Sequence, residues 1–365
     1  MAPSLPTPIA EPAPPAWAPA AAVAAAVYAV VQVTWAATGT AVPWKAHSAH
    51  PAAVQYALAL VALLAGTAAC LAPRTRRAPR AVAGVLLGAI PVLGFGMAPL
   101  PAYLVTITAG AGVESATGLA HVLLSTILTT TLAFTALTHH RRSTGPCPDC
   151  GRAHVTAAAD APLLRPAPSI ASRRTRRTAF LLTTGLLPWV AVKTVWTLGG
   201  DALGITAERW KASHADDSRA VRALADVGVD ATVLAACVAL FLIAGLLYPW
   251  GQRFPRPLPW LGGRRVPRLL PLVPAAITAF GLALYGVLLS VYAPLAALDL
   301  LPTPDPDPVI GGTRSGTLWL IAFGGAAFGG LGFALAVAAR SYAARTRPRC
   351  TPASPYAPGP NGQPA

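Results

Sequence analysis

The sequence predicts an all-α membrane protein, with about eight transmembrane helices arranged as two parallel four-helix repeats. Three observations carry that expectation. Of its 365 residues 54% are hydrophobic and only 11% charged, against about 25% charged in soluble domains. A soluble fold of this size would lack the polar residues to cover its surface. The arginines fall in clusters between alternate apolar blocks, and two short motifs recur in the same order in the two halves.

Residues 1–16 are rich in Pro and Ala and read as a disordered cytoplasmic tail. Eight apolar stretches follow, at 17–38, 52–72, 81–109, 116–138, 179–199, 229–249, 269–298 and 316–338. Most are close to the ~20 residues a helix needs to cross a bilayer. Lipid offers a backbone no partner, so each crossing must satisfy its own hydrogen bonds as a helix. The first stretch lacks the basic start of a signal peptide and is long for its apolar core, so it is expected to be retained. The third and seventh approach thirty residues, which fits one tilted or broken crossing better than two. The organisation that results is a tail (1–16), a first four-span repeat (17–138), a Cys/Arg-rich cytoplasmic linker (139–178), a second repeat (179–338) and a disordered cytoplasmic tail (339–365).

Charge sets the expected orientation. Arg74, Arg76, Arg77 and Arg80 lie between spans two and three. Arg141, Arg142, Arg152, Arg165, Arg173, Arg174, Arg176 and Arg177 lie between four and five. Arg253, Arg256, Arg264, Arg265 and Arg268 lie between six and seven, and Arg340, Arg345, Arg347 and Arg349 follow from the end of span eight. With eight spans all four clusters share one face, as basic residues do on the cytoplasmic side. Most acids, among them Glu114, Asp201, Glu208, Asp216, Asp217, Asp226, Asp305 and Asp307, fall on the other. The expected location is a cell (inner) membrane with both termini cytoplasmic. The net charge of +15 is thereby accounted for without nucleic acid. The expected partners are the bilayer, anionic lipid headgroups at the Arg clusters, and a second copy or another membrane protein.

The duplication rests on two markers. Gln32, Trp35 and Gly39 in QVTWAATG match Lys193, Trp196 and Gly200 in KTVWTLGG, with the same spacing and near the outer end of the opening span of each half. RRAPR at 76–80 matches RRVPR at 264–268. Four spans per unit make the repeats parallel.

The segment PWGQRFPRPLPWLGGRRVPR (249–268) resembles a segment of uncharacterised multi-pass membrane proteins of actinomycetes. The resemblance implies a membrane protein of that lineage and brings no activity, cofactor or catalytic residue with it.

Several residues are candidates for chemistry. Lys193 is the one basic residue clearly inside a span, where a charge costs about 2.5–3.5 kcal/mol at mid-helix. It lies some six residues, roughly 9 Å, from the outer end. Either its stem reaches out to the interface, or it faces the bundle and pairs with an acid, Asp230 first. Gln32, Trp35 and Trp196 join it through the repeat. His121, near the outer start of span four, could titrate near neutrality. Spans three and seven are rich in Pro and Gly, and matched broken helices build midplane sites in transporters, although these prolines do not align from the RRxPR marker.

Cys147 and Cys150 form CPDCG, with His154 after them and His139 and His140 before. Thiolates at this spacing with imidazoles suit tetrahedral zinc; a free or redox-active dithiol, or no role, are the alternatives. Gly325 and Gly329 form a GxxxG for close helix packing, within the chain or between copies. Phosphate-binding, serine-hydrolase and zinc-protease signatures are absent, so an enzyme is the less favoured class. The function expected is that of a structural or regulatory membrane component. The alternative is a transporter or channel-like protein with a polar site in the outer half of the repeat interface.

Overall fold

The computed structural model describes residues 17–45, 48–73, 79–100, 103, 107, 113, 115–143, 163–164, 166–213, 219–304 and 311–350. Among them the architecture is helical, with a few extended pieces of two or three residues. The helices are α1 (Trp17–Thr38), α2 (Ala52–Leu71), α3 (Pro79–Phe95), α4 (Ala116–Ser143), α5 (Arg173–Thr183), α6 (Leu186–Thr197), α7 (Ala207–Ser213), α8 (Arg219–Asp226), α9 (Ala231–Leu247), α10 (Leu269–Ala297) and α11 (Arg314–Arg345). The chain divides into two compact units, one of Met1–Val42, Ala49–Gly94 and Leu124–Pro148, the other of Pro43–Ser48, Phe95–Leu123 and Asp149–Ala365.

In both units small residues line the closest helix contacts, and many large apolar side chains lie outside. In the first, α1 buries Ala21, Ala25, Tyr28, Ala29 and Gln32 against Gln55, Ala59, Ala62, Ala65, Gly66 and Ala69 of α2. These positions recur at helical spacing, so the shared face of each helix is lined mostly by alanine and glycine. A methyl group on Gly66 would lie 2.8 Å from the Ala25 Cβ. Leu86 and Leu93 of α3 and Leu128 and Leu132 of α4 complete this core. Val23, Val27 and Val30 of α1 and Leu60, Leu63 and Leu64 of α2 stay exposed. Water would drive those side chains inward; a hydrocarbon surround leaves close packing of small residues as the main attraction between helices.

The second unit is built around α11. A methyl group on Gly286 of α10 would sit 2.0 Å from the Gly329 nitrogen, one on Gly332 would sit 2.3 Å from the Ala283 nitrogen, and one on Gly325 would sit 2.7 Å from Ser290 Oγ. The GxxxG seam therefore packs within the chain, against α10. A neighbouring side of α11 is equally close to the α5–α6 junction: a methyl group on Gly330 would meet the Leu182 carbonyl oxygen at 2.3 Å, and one on Gly185 the Ala326 carbonyl oxygen at 2.3 Å.

Among the described residues six helical stretches are long and apolar enough to cross a membrane: Trp17–Thr38, Ala52–Leu71, Ala116–His140, Arg173–Thr197, Leu269–Ala297 and Arg314–Arg345. The other two expected stretches form shorter apolar helices. The third stops as a continuous helix at Phe95, where Gly94, Gly96 and Pro99 accumulate. The sixth is a 17-residue helix, roughly 26 Å long at the helical rise. Asp230 caps its start, and Tyr248 is extended ahead of Pro249, as a residue before proline tends to be.

The fifth stretch starts earlier than expected, at Arg173, and breaks at Thr184–Gly185. Pro188 has no N–H for the Thr184 carbonyl, which instead accepts from Leu187 N at 3.0 Å. The seventh runs unbroken through Pro274 and Pro294. The Pro/Gly-rich third and seventh stretches are thus not a matched broken pair. The eighth continues past 338 to Arg345, whose guanidinium donates to the Ser169 and Leu246 carbonyls, the second at the end of α9.

Candidate functional site

The site forms where α6 ends. Trp189, Lys193 and Trp196 follow one another at i, i+4 and i+7, which places them on one helix face. Gly199, with φ of +91°, closes the helix, and Gly200 N donates back to the Val195 carbonyl at 2.8 Å. Leu203 and Gly204, both at positive φ, then turn the chain between the bridged residues Ala202 and Ile205. Asp201 Oδ1 accepts from Ala207 N at 3.0 Å and holds the start of α7. This turn lays Trp210 of α7 back over α6. Its ring stacks on Trp196 with centroids 4.6 Å apart, and Trp196 Nε1 donates to the Ala202 carbonyl at 3.2 Å.

Lys193 is only 7% exposed. Its ammonium lies 3.9 Å from the centroid of the Trp210 ring, 5.3 Å from that of Trp189 and 3.9 Å from Asp230 Oδ2. Indole faces attract a desolvated cation, and the carboxylate neutralises it across a gap too long for a strong direct hydrogen bond. The other Asp230 oxygen accepts from Thr232 N at 2.7 Å and Val233 N at 3.3 Å, and also from Thr232 Oγ1. One carboxylate thus caps α9 and balances a charge on α6. The positive end of the helix dipole favours the anion at that place.

The structure brings Lys193, Asp230 and Trp196 together. Asp201 serves as a cap for α7. Gln32 and Trp35 belong to the first unit, where Gln32 is fully buried and Trp35 half-buried. The Tyr28 hydroxyl interacts there with Ser125 and Gln32. His121 is buried near the start of α4. Sequence reasoning missed Trp189 and Trp210. The available signal was the density of tryptophans around a lone membrane-level cation, which needs either an acid or aromatic faces.

Of the proposed zinc ligands, Cys147, Cys150 and His154 lie outside the described residues. His139 is buried on α4 with Nδ1 3.1 Å from the Ala72 carbonyl oxygen, and His140 is exposed. Among the described residues no three metal-binding side chains converge.

The segment 249–268 is a structural connector. Trp250 lies on Gly245, where an added methyl would meet the ring at 2.9 Å, and a methyl on Gly251 would meet the Gly245 carbonyl oxygen at 2.1 Å. The Gln252 side chain clamps residue 169, donating to the Ser169 carbonyl at 2.8 Å and accepting from Ser169 N at 3.2 Å. Phe254 N donates to the Arg264 carbonyl and Gly263 N to the Phe254 carbonyl, which closes the loop. Set against known proteins, the chain matches no family model, no curated protein and no solved structure.

Proposed function

We propose that the chain is an integral inner-membrane protein with a structural or regulatory role, eight crossings and both termini in the cytoplasm. The observation that carries this reading is the engagement of Lys193: its charge is taken up by Asp230 and two indole faces, which makes it a clasp joining α6, α7 and α9. A charge consumed by the fold stabilises the outer end of the bundle and is not offered to a passing solute. The Arg clusters and the linker at 139–178 are the surfaces for partners or anionic lipid. The two shorter helices, α3 and α9, are counted as crossings because the arginine clusters share one face only if they cross. The likeness of segment 249–268 to actinomycete membrane proteins adds a lineage to this proposal and no activity.

The proposed duplication has support in the first-unit counterpart of Lys193, Gln32, which is also buried. In both halves the motif helix closes on a left-handed glycine, Gly39 and Gly199. The caps differ by one residue in register: Thr40 N donates to the Trp35 carbonyl, whereas Gly200 N donates to that of Val195, one residue before Trp196. The halves also pack differently, α1 being closest to α2 in one and α10 to α11 in the other. The proposal is therefore a diverged repeat.

The alternative reading is a transporter or channel-like protein, favoured by buried polar positions at matching places in two apolar helices, Gln32 and Lys193. Purified protein in liposomes decides between the readings. The structural reading expects no passage of loaded ions or small solutes above empty liposomes, and lower thermal stability for Lys193→Gln. Passage that disappears in Lys193→Gln at unchanged melting temperature would reverse the choice.

A further inference from the structure

One face of α5 changes character along its length. Arg173, Arg176, Arg177, Phe180, Leu181 and Thr184 follow the i, i+3, i+4, i+7, i+8, i+11 spacing that puts side chains in a single stripe. With Tyr248, at the end of α9, they line an open groove of about 690 Å³. The stripe is cationic in the first turn and apolar below it. Phe180, Leu181 and Thr184 are exposed, and the Thr184 hydroxyl is turned back to donate to the Leu181 carbonyl at 2.7 Å.

Among the described residues the cationic end has no acidic partner. The first turn of α5 holds no acid, and none of Arg173, Arg174, Arg176 and Arg177 takes part in an ion pair among the described residues. Positive charge at a helix N-terminus opposes the helix dipole, and neighbouring arginines repel one another. Arg176 is nevertheless held in place: Nη1 donates to the Tyr248 hydroxyl at 3.3 Å, and its guanidinium carbon lies 5.5 Å from the Tyr248 ring centroid. Its Nε is buried without an acceptor among the described residues.

We propose that this groove binds one anionic phospholipid. Its phosphate is held by Arg173, Arg176 and Arg177, and an acyl chain lies over Phe180, Leu181 and the Thr184 methyl. Arginine suits phosphate through its planar array of donors. The order of the stripe, charge first and apolar surface next, matches the order of a lipid from headgroup to tail. The proposal rests on the membrane reading but not on the number of crossings or on the absence of transport.

The test uses the full chain purified in a neutral detergent. Phosphatidylglycerol, phosphatidylcholine or inorganic phosphate is titrated in, thermal unfolding is followed, and retained lipid is counted by native mass spectrometry. One retained phosphatidylglycerol and a raised melting temperature are expected, with no such response to phosphatidylcholine. Inorganic phosphate should act only at far higher concentration. Arg173→Gln and Arg177→Gln, at exposed positions outside the Tyr248 contact, should each weaken phosphatidylglycerol binding about fivefold, as expected for one basic residue at a lipid surface. Leu181→Gln should weaken phosphatidylglycerol and leave the phosphate response alone.

Lys211→Gln with Arg222→Gln removes two charges from exposed positions outside the arginine clusters and should leave phosphatidylglycerol binding unchanged. Equal loss in that control, or full binding in the α5 variants, overturns the proposal. So does equal protection by inorganic phosphate, which would identify a free-phosphate site. Failure of the membrane reading is separable, because the chain would then leave cell membranes on carbonate washing.

Discussion

A lysine buried in an apolar segment has to be neutralised in charge or in protonation, and Lys193 has Asp230 as its counter-charge. The two partners are not equally dependent on each other. Asp230 without Lys193 keeps two backbone N–H donors and a helix N-terminus. Lys193 without the carboxylate keeps the ring faces of Trp189 and Trp210 but loses the Asp230 charge. Breaking a buried pair from one side typically costs about 3–5 kcal/mol. Asp230→Asn, which retains a good capping residue, should therefore lower the melting temperature more than Lys193→Gln. The double variant should recover part of the loss. Melting temperatures of the four proteins in one detergent supply the cycle, and zero coupling would refute the clasp.

His50 offers a second residue-level test. It lies between α1 and α2, its N–H donates to the Val42 carbonyl at 2.9 Å, and Gln55 Nε2 donates to its carbonyl at 3.1 Å. Burial pushes its imidazole below the ordinary 6.5. The folded state then binds fewer protons than the unfolded one, so this contribution is intact above 6.5. It is lost as the pH falls from there toward the depressed folded value. The residue is about half buried, so the effect is small. Unfolding temperatures from pH 7.5 down to 5 should fall less steeply for His50→Gln than for the parent, and parallel curves would refute the assignment.

Between helices, the geometry separates residues that the GxxxG pattern treats alike. A methyl on Gly286 would lie 2.0 Å from the Gly329 nitrogen, whereas a methyl on Gly329 would lie 3.7 Å from the nearest Gly286 atoms. Gly286→Ala has to push α10 and α11 apart and should cost about 1–3 kcal/mol or more. Gly329→Ala makes an ordinary contact, gains up to about 1 kcal/mol of helix propensity, and should be neutral or slightly stabilising. Thermal unfolding of the two variants checks the contrast; equal damage would mean the seam is not packed this way. The break at Thr184–Gly185 belongs to the same scale, because Pro188 loosens the backbone where the Ala326 carbonyl approaches Gly185.

For the molecule as a whole, the number of crossings decides where the arginines lie. If α3 and α9 both cross, reporter fusions after residues 76, 150, 258 and 345 should all report cytoplasm, and those near 47, 215 and 306 the outside. If only the six longer helical stretches cross, the reporters at 150 and 215 exchange sides while the others keep theirs. That alternative puts the arginine-rich linker outside, against the usual distribution of basic residues. The 150 and 215 fusions are therefore the decisive pair, and their reversal would replace the proposed topology with a six-crossing one.

The sequence by itself determined the helical, apolar character of the chain and the placement of most helices, because length and unbroken apolarity are local properties. It also singled out Lys193 and Asp230, since a charge in an apolar stretch stands out without any coordinates. Only the tertiary structure decided what surrounds that charge. Trp189 shares a face with Lys193, but Trp210 arrives through a turn set by Leu203 and Gly204 at positive φ, and that path depends on the fold. Nor could the sequence say where a stretch would break. Pro188 interrupts the fifth stretch while Pro274 and Pro294 pass within α10, because the cost of a lost hydrogen bond depends on which neighbours can relieve it. The partner of the GxxxG seam was likewise open until α10 was seen against it, since small residues permit close approach without specifying what approaches.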